Sequence, residues 1–327
     1  MVKLLLSVFG AVLLAICLLV AFGGLRALAS SRPPLRGELV DIGGRRLRIV
    51  CEGPRSDLPL VVTESGIFGF AADWGVVQTR LAAEGVRSCA YDRAGLGYSD
   101  PGPEPRDGLA IVSDLEKLLA AHGESGPVIL VAHSMAGLHT RLFALRNPSR
   151  VKGLVLVDAA SPERVLSPQG RDLFRKFDSF ADWVVRLSQL GVLRAISPWN
   201  GDSIGLEGAA RREKIYFFGD TRFNKAGAAE THQAARAAEQ ALAAGKLDPA
   251  LPVAVVTEAV GGGRRMGWAK GRADAATASR HGFIHETPGA THADLLGRKH
   301  ASVIVQAVNE VASAAGYPQP SIARPAS

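Results

Sequence analysis

Cysteine and aromatic residues are scarce in this chain. Among its 327 residues there are three cysteines, and Phe, Trp and Tyr together make up 6%. Three cysteines make no disulfide framework, and neither a Cys-x-x-Cys nor a Cys/His pair at zinc spacing occurs, so cysteine identifies neither a metal site nor a compartment. Cys17 lies in an apolar N-terminal run, while Cys51 and Cys89 lie in strand-like segments, where a thiol is expected to act as a small buried hydrophobe. A basic stripe interleaved with aromatics is also missing. The net charge is +7, but apart from short clusters such as Arg45-Arg46, Arg211-Arg212 and Arg264-Arg265 the basic residues are scattered, and no nucleic-acid partner is expected. With 47% hydrophobic and 21% charged residues the chain is not disordered, and its length suits one large domain, or one with a sizeable insertion.

Charge is absent between Lys3 and Arg26, and residues 4–25 are apolar except for Ser7 and three glycines. At about 1.5 Å per residue this run reaches roughly 33 Å, enough to cross a hydrocarbon core of about 30 Å. A core helix of a globular domain shows a polar face; this run has none. Residues 1–29 therefore read as a single-pass membrane anchor. A cleaved signal peptide is the rival reading, with Ala27-Leu28-Ala29 as a small-x-small site, although the run exceeds the roughly 7–15 residues of a signal core. Sidedness stays open. Arg26, Arg32, Arg36, Arg45, Arg46 and Arg48 follow the run and place the rest in the cytoplasm by positive-inside counting, whereas a signal-anchor places it outside.

A linker with two prolines (30–37) leads into alternating segments. Strands are expected at 38–42 and 46–51, joined by a hairpin at Gly43-Gly44, then at 60–63, 86–91, 128–132 and 151–157; helical spacing marks 71–83, 109–121 and 135–146. Strands apolar on both faces alternating with helices imply a mostly parallel sheet flanked by helices. The alternation stops over 161–247, where helices are expected at 171–190, 211–218 and 226–244, and resumes with strands at 253–257 and 283–287 and a helix at 301–314. The organisation is thus a core in two parts, 38–160 and 248–316, an inserted helical lid over 161–247, and a flexible tail, 317–327.

The stretch Val128-Ile129-Leu130-Val131-Ala132-His133-Ser134-Met135-Ala136-Gly137 resembles the nucleophile elbow of α/β-hydrolases, Gly-x-Ser-x-Gly between a strand and a helix. Such a turn lifts the serine hydroxyl out of the sheet and aims the next backbone N–H and the helix N-terminus at a developing oxyanion. Alanine, the smallest replacement, stands at both glycine positions, Ala132 and Ala136. Tyr91-Asp92-Arg93-Ala94-Gly95-Leu96-Gly97-Tyr98-Ser99-Asp100 resembles the turn that precedes the nucleophile in this superfamily, and Asn147 to Asp158 the stretch after its helix. The resemblance spans roughly 38–315 and implies the α/β-hydrolase fold.

It also implies a site. Ser134 takes the nucleophile's place, and His133 beside it reads as a structural part of the turn. The backbone N–H groups of Ile67 and Met135 take the oxyanion hole, in a loop where Ser65 stands for the family's usual histidine. His292, in Thr287-Pro288-Gly289-Ala290-Thr291-His292, takes the general base; His281, His285 and His300 are the other histidines near it in sequence. No aspartate stands where the family's acid usually follows the strand after the lid, which leaves Asp158, at the end of the strand before the lid, as the favoured acid and Glu258 as the alternative. The implied reaction is serine-dependent hydrolysis of a carboxylic ester or related small-molecule acyl substrate, with no metal or organic cofactor. A binding protein of this fold with impaired chemistry, and a cofactor-free carbon–carbon hydrolase or perhydrolase, are the alternatives. Phe174, Phe177, Phe180, Trp183, Leu187, Leu190 and Trp199 give the lid an aromatic side that suits a lipophilic substrate or a membrane, or simply packing onto the core.

Overall fold

The computed structural model describes residues 1–258 and 273–318. Eight strands form one sheet: β1 (Glu38–Asp41), β2 (Arg46–Glu52), β3 (Leu60–Glu64), β4 (Ser88–Tyr91), β5 (Val128–His133), β6 (Val151–Val157), β7 (Val253–Glu258) and β8 (Gly282–Thr287). Their order is β1-β2-β4-β3-β5-β6-β7-β8. β1, β2 and β4 pair antiparallel, and every pairing from β4 onward through β3 to β8 is parallel. The hairpin turns at Gly43-Gly44, both at positive φ (102° and 86°), the backbone that a two-residue loop demands and that glycine adopts without strain.

Period-two alternation divides the buried strand residues between two hydrophobic layers. Val61, Val131, Val155 and Val256 face α2 (Gly75–Ala83) and the last helix. Val62, Leu130 and Leu154 face α3 (Gly108–Ala121) and α4 (Ala136–Arg146) on the opposite side. With both faces covered, the central strands are buried throughout, as β3 and β5 are. The segment expected as one helix over 71–83 divides into a 3-10 turn, Ala71–Trp74, and α2.

Helices alone fill the interval between β6 and β7: α5 (Pro162–Leu166), α6 (Pro168–Gln189), α7 (Val192–Asn200), α8 (Gly208–Phe218), α9 (Thr221–His232) and α10 (Ala234–Ala243). The single helix expected over 226–244 is instead two, because α9 starts earlier, where the Asp220 carboxylate caps the Phe223 N–H, and ends in a turn at Gln233. A short helix, α11 (Asp274–Ala278), and a longer one, α12 (Ala301–Ala314), close the core. Of the expected tail, residues 319–327 lie outside the described residues, as does the Arg264-Arg265 cluster.

The expectation that Cys51 and Cys89 are separate buried thiols is corrected: they form a disulfide. Their 38-residue separation gives no hint of it, but they are direct register partners across β2 and β4, with Cα atoms 4.1 Å apart. Residues directly opposite in an antiparallel pair point to the same face, which brings the two sulfurs together.

The N-terminal run forms one helix, α1 (Val2–Ala29). Among the described residues it is the one helix long and apolar enough to cross a membrane, with a mean hydropathy of 3.0 over residues Lys3–Ala29. It meets the rest of the chain near its C-terminal end, where Gly23 packs on Gly191 at the junction of α6 and α7.

Candidate active site

Ser134 sits at the tip of the turn between β5 and α4 with φ of 58°, a left-handed backbone that a non-glycine residue adopts only when its surroundings enforce it. Three backbone hydrogen bonds do so. The Ser134 N–H donates to the Val157 carbonyl (3.1 Å), and the Ser134 carbonyl accepts from Gly137 (3.2 Å) and Ala160 (2.8 Å). Ala132 and Ala136 are fully buried, so the turn tolerates a methyl group at both positions where the family prefers glycine. Glycine is required elsewhere: a Cβ on Gly66 would lie 2.7 Å from the Ser134 Cβ, and one on Gly137 2.4 Å from the Ala160 carbonyl oxygen.

Asp158 follows β6 in a similarly enforced conformation (φ 45°), its N–H bonded to the Val256 carbonyl at 2.7 Å. Its buried carboxylate accepts from Thr257 Oγ1 at 3.3 Å and pairs with Nδ1 of His292, which the loop after β8 carries. Glu258 ends β7 beside them, and one ligand atom from each of Asp158, Glu258 and His292 lies within 4.8 Å of the others. Two carboxylates and an imidazole could also hold a cation, but His292 Nδ1 is already engaged by Asp158. Both proposed acids are therefore at the imidazole, and Asp158 makes the hydrogen bond to Nδ1. The other histidines lie elsewhere: His285 pairs with Glu310 at 2.7 Å, His300 is 3.8 Å from Asp294, and His281 is exposed. The glycines after Glu258, where the family usually carries its acid, lie outside the described residues.

His133 has a more specific place than the sequence indicates. Its Nε2 lies 2.8 Å from the His292 carbonyl oxygen, and the two rings are 4.5 Å apart. A carbonyl can only accept, so Nε2 carries the proton and donates. Burial, reinforced by the neighbouring His292, pushes the His133 imidazole well below the usual histidine range and keeps it neutral. His133 thus fastens the loop that carries His292.

The loop after β3 is held against Ser134 by Arg93, whose role in the site the sequence did not reveal. The buried guanidinium donates to the carbonyls of Ser65 (2.6 Å) and Gly66 (2.8 Å) and pairs with Glu64 and with Glu230 of α9. Burial opposes ionisation of Glu64, but Arg93, with His139 and Tyr91, outweighs it and leaves the carboxyl below the usual range. Ser65, in place of the family's histidine, donates to the Phe70 carbonyl (3.1 Å) and accepts from Trp74 Nε1 (2.9 Å), which fixes the loop from the other side.

Ser134, Asp158, Glu258, His292, Ile67 and Met135 all line one cavity of about 670 Å³. Ile67 and Met135 flank the serine there, the positions expected of the two oxyanion donors. Leu173, Phe174, Phe177 and Phe180 of α6 supply apolar lining to the same cavity. Lys214, on α8, pairs with Asp73 at 2.7 Å; burial pushes the Asp73 carboxyl up despite that partner.

Residues 59–220 match the family model described as alpha/beta hydrolase fold. A protein of Schizosaccharomyces pombe described as uncharacterized is 36% identical over 131 residues, 40% of this chain and 23% of that protein. The chain spans well under two thirds of the length of the curated relatives it matches. A thermophilic esterase from Thermogutta terrifontis superposes with a TM-score of 0.59 at 19% identity, over 85% of this chain and 99% of the other. Haloalkane dehalogenase DbeA from Bradyrhizobium elkani gives 0.63 at 17% identity, over 84% and 98%. At such identities the likeness to solved structures shows the fold alone.

Proposed function

The chain belongs to the α/β-hydrolase superfamily, and from that premise we propose that it is a serine hydrolase of carboxylic esters, acting through an acyl-enzyme on Ser134. The observation that carries this reading is the pairing of His292 Nδ1 with the buried Asp158, in the cavity that also holds a serine at φ 58°. Asp158 fixes the ring so that Nε2 is the nitrogen left to exchange a proton. Nε2 takes the proton from Ser134 Oγ as that oxygen attacks the substrate carbonyl, and the N–H groups of Ile67 and Met135 receive the oxyanion. The imidazolium returns the proton to the leaving alcohol. Water then enters, loses a proton to Nε2 and cleaves the acyl-enzyme, releasing the acid and regenerating Ser134. The test is hydrolysis of p-nitrophenyl butyrate by the detergent-solubilised chain: Ser134→Ala should lower kcat/KM by more than about 10⁴-fold. An unchanged rate in that variant defeats the reading, and no turnover by the wild type favours the binding-protein alternative.

The same reading extends to location. We propose that α1 is a membrane anchor and that the hydrolase domain lies on the oxidising side, because a disulfide joins β2 to β4 and structural disulfides persist in oxidising compartments. This outweighs the arginine count after the helix, which points to the cytoplasm. Thiol labelling of the intact cell-derived protein should find Cys51 and Cys89 unreactive before reduction and reactive after it; free thiols at both positions would place the domain in a reducing compartment.

A further inference from the structure

The lid turns large apolar side chains toward solvent. Phe177 and Phe180 lie three residues apart on α6 with Trp183 after them, and Leu190 and Trp199 extend the patch to the turn after α6 and the end of α7; Trp183 is 59% and Trp199 73% exposed. Large apolar side chains exposed at this spacing on two packed helices mark a surface that meets something apolar.

What it meets follows from α1. A Cβ on Gly23 would lie 2.1 Å from the Gly191 carbonyl oxygen, so the helix touches the α6–α7 junction backbone to backbone, as only glycine allows. Residues 3–22 precede that contact and, at about 1.5 Å per residue, cover roughly 30 Å, the thickness of a hydrocarbon core. A bilayer crossed by those residues ends where the lid begins. The chemistry of the patch agrees: tryptophan favours the membrane–water boundary, and Arg186 stands over the Trp183 ring at 5.2 Å, with its charge free to reach headgroups. Phe177 and Phe180 belong to both surfaces, the exposed patch and the wall of the catalytic cavity.

We propose that the outward face of α6 and the end of α7 sit in the headgroup–acyl boundary of the bilayer, so that the cavity opens onto the leaflet and takes an acyl ester dissolved in lipid. This rests on reading α1 as a membrane span and Ser134 as the nucleophile of an esterase.

The test uses the full chain reconstituted in phosphatidylcholine vesicles with brominated acyl chains, which quench tryptophan at bilayer depth. The expected result is quenching that largely disappears in Trp183→Phe/Trp199→Phe, since Trp74 and Trp268 remain in both proteins. A Trp183→Ser/Leu190→Ser variant should hydrolyse a water-soluble short-chain p-nitrophenyl ester within about twofold of wild type, yet act at least about tenfold more slowly on a long-chain ester dissolved in the vesicles. Quenching that is absent, or the same without the two tryptophans, overturns the proposal, as does an equal loss on both esters; either result leaves the lid face to another protein or to packing. Failure of the wild type on both esters would sink the esterase reading instead, and the quenching comparison would still decide the docking. Release of the protein from membranes by alkaline carbonate would sink the span.

Discussion

At the carboxyl edge of the sheet, Ser134 and Asp158 are positioned by backbone hydrogen bonds and enforced dihedrals and His292 by the side chains of His133 and Asp158, whereas the helical insertion is joined to the core by buried ion pairs and by Phe217 and Phe223 packed into it. Arg48 donates to Glu213 of α8 at 2.9 Å, and Arg93 pairs with Glu230 of α9 at 2.8 Å, all four side chains buried. Two other helices of the insertion, α6 and α7, present hydrocarbon to the outside. Geometry that must hold to a fraction of an ångström is thus built on strand ends, and the part that would select a substrate is built on helices that can vary without disturbing it.

Under the proposed mechanism, substitutions at the strand ends are expected to cost chemistry and substitutions in the buried ion pairs to cost stability. The largest effect is expected from Asp158→Asn, which removes the partner of His292 Nδ1 and should lower kcat by about 10⁴-fold, while Glu258→Gln should cost less than about tenfold. Steady-state kinetics on one soluble ester decides between the two acids, and the reverse ranking would move the acid to the end of β7. Next comes Arg93→Ala, which leaves Glu64 and Glu230 buried without their shared cation. A loss of about 3–5 kcal/mol in denaturant unfolding is expected. A change under 1 kcal/mol would show that the lid does not depend on this charge.

His133 sharpens the comparison through pH. It is neutral when folded, but in the unfolded chain it takes up a proton below about pH 6.5. The unfolded state then binds more protons than the folded one, so stability rises with pH across that window and falls on the acid side by roughly 1.4 kcal/mol per pH unit. His133→Gln should flatten the difference in unfolding free energy between pH 5.5 and pH 6.5 by roughly 1 kcal/mol, and an unchanged slope would mean that His133 is charged in the fold. The smallest effect belongs to Trp183→Ser, whose exposed ring should change stability in detergent by no more than about 0.5 kcal/mol; a larger loss would make the lid face part of the packing.

Much of the fold was legible because central parallel strands read as unbroken apolar runs: residues 128–132 announce β5, and the Gly-Gly pair announces the first hairpin. The seam at Gln233 was not legible, since Ala-rich sequence continues through it and the signal that starts α9 is a cap at Asp220. Ser134 and His292 were readable from local motifs, and Asp158 from its place at a strand end. The Cys51–Cys89 bond and the bridge from Arg93 to Glu64 and Glu230 depend on register and on how the helical insertion docks, which bring together residues 29 to 137 positions apart, and no local pattern marks them.

The central claim is that the hydroxyl of Ser134 is activated by His292, and covalent labelling tests it most directly. A fluorophosphonate added to the solubilised full chain should yield a single phosphonyl adduct that peptide mass spectrometry places on Ser134. The adduct should be lost in Ser134→Ala and strongly slowed in His292→Ala. An unlabelled wild-type protein, or equal labelling with and without the imidazole, would contradict the account.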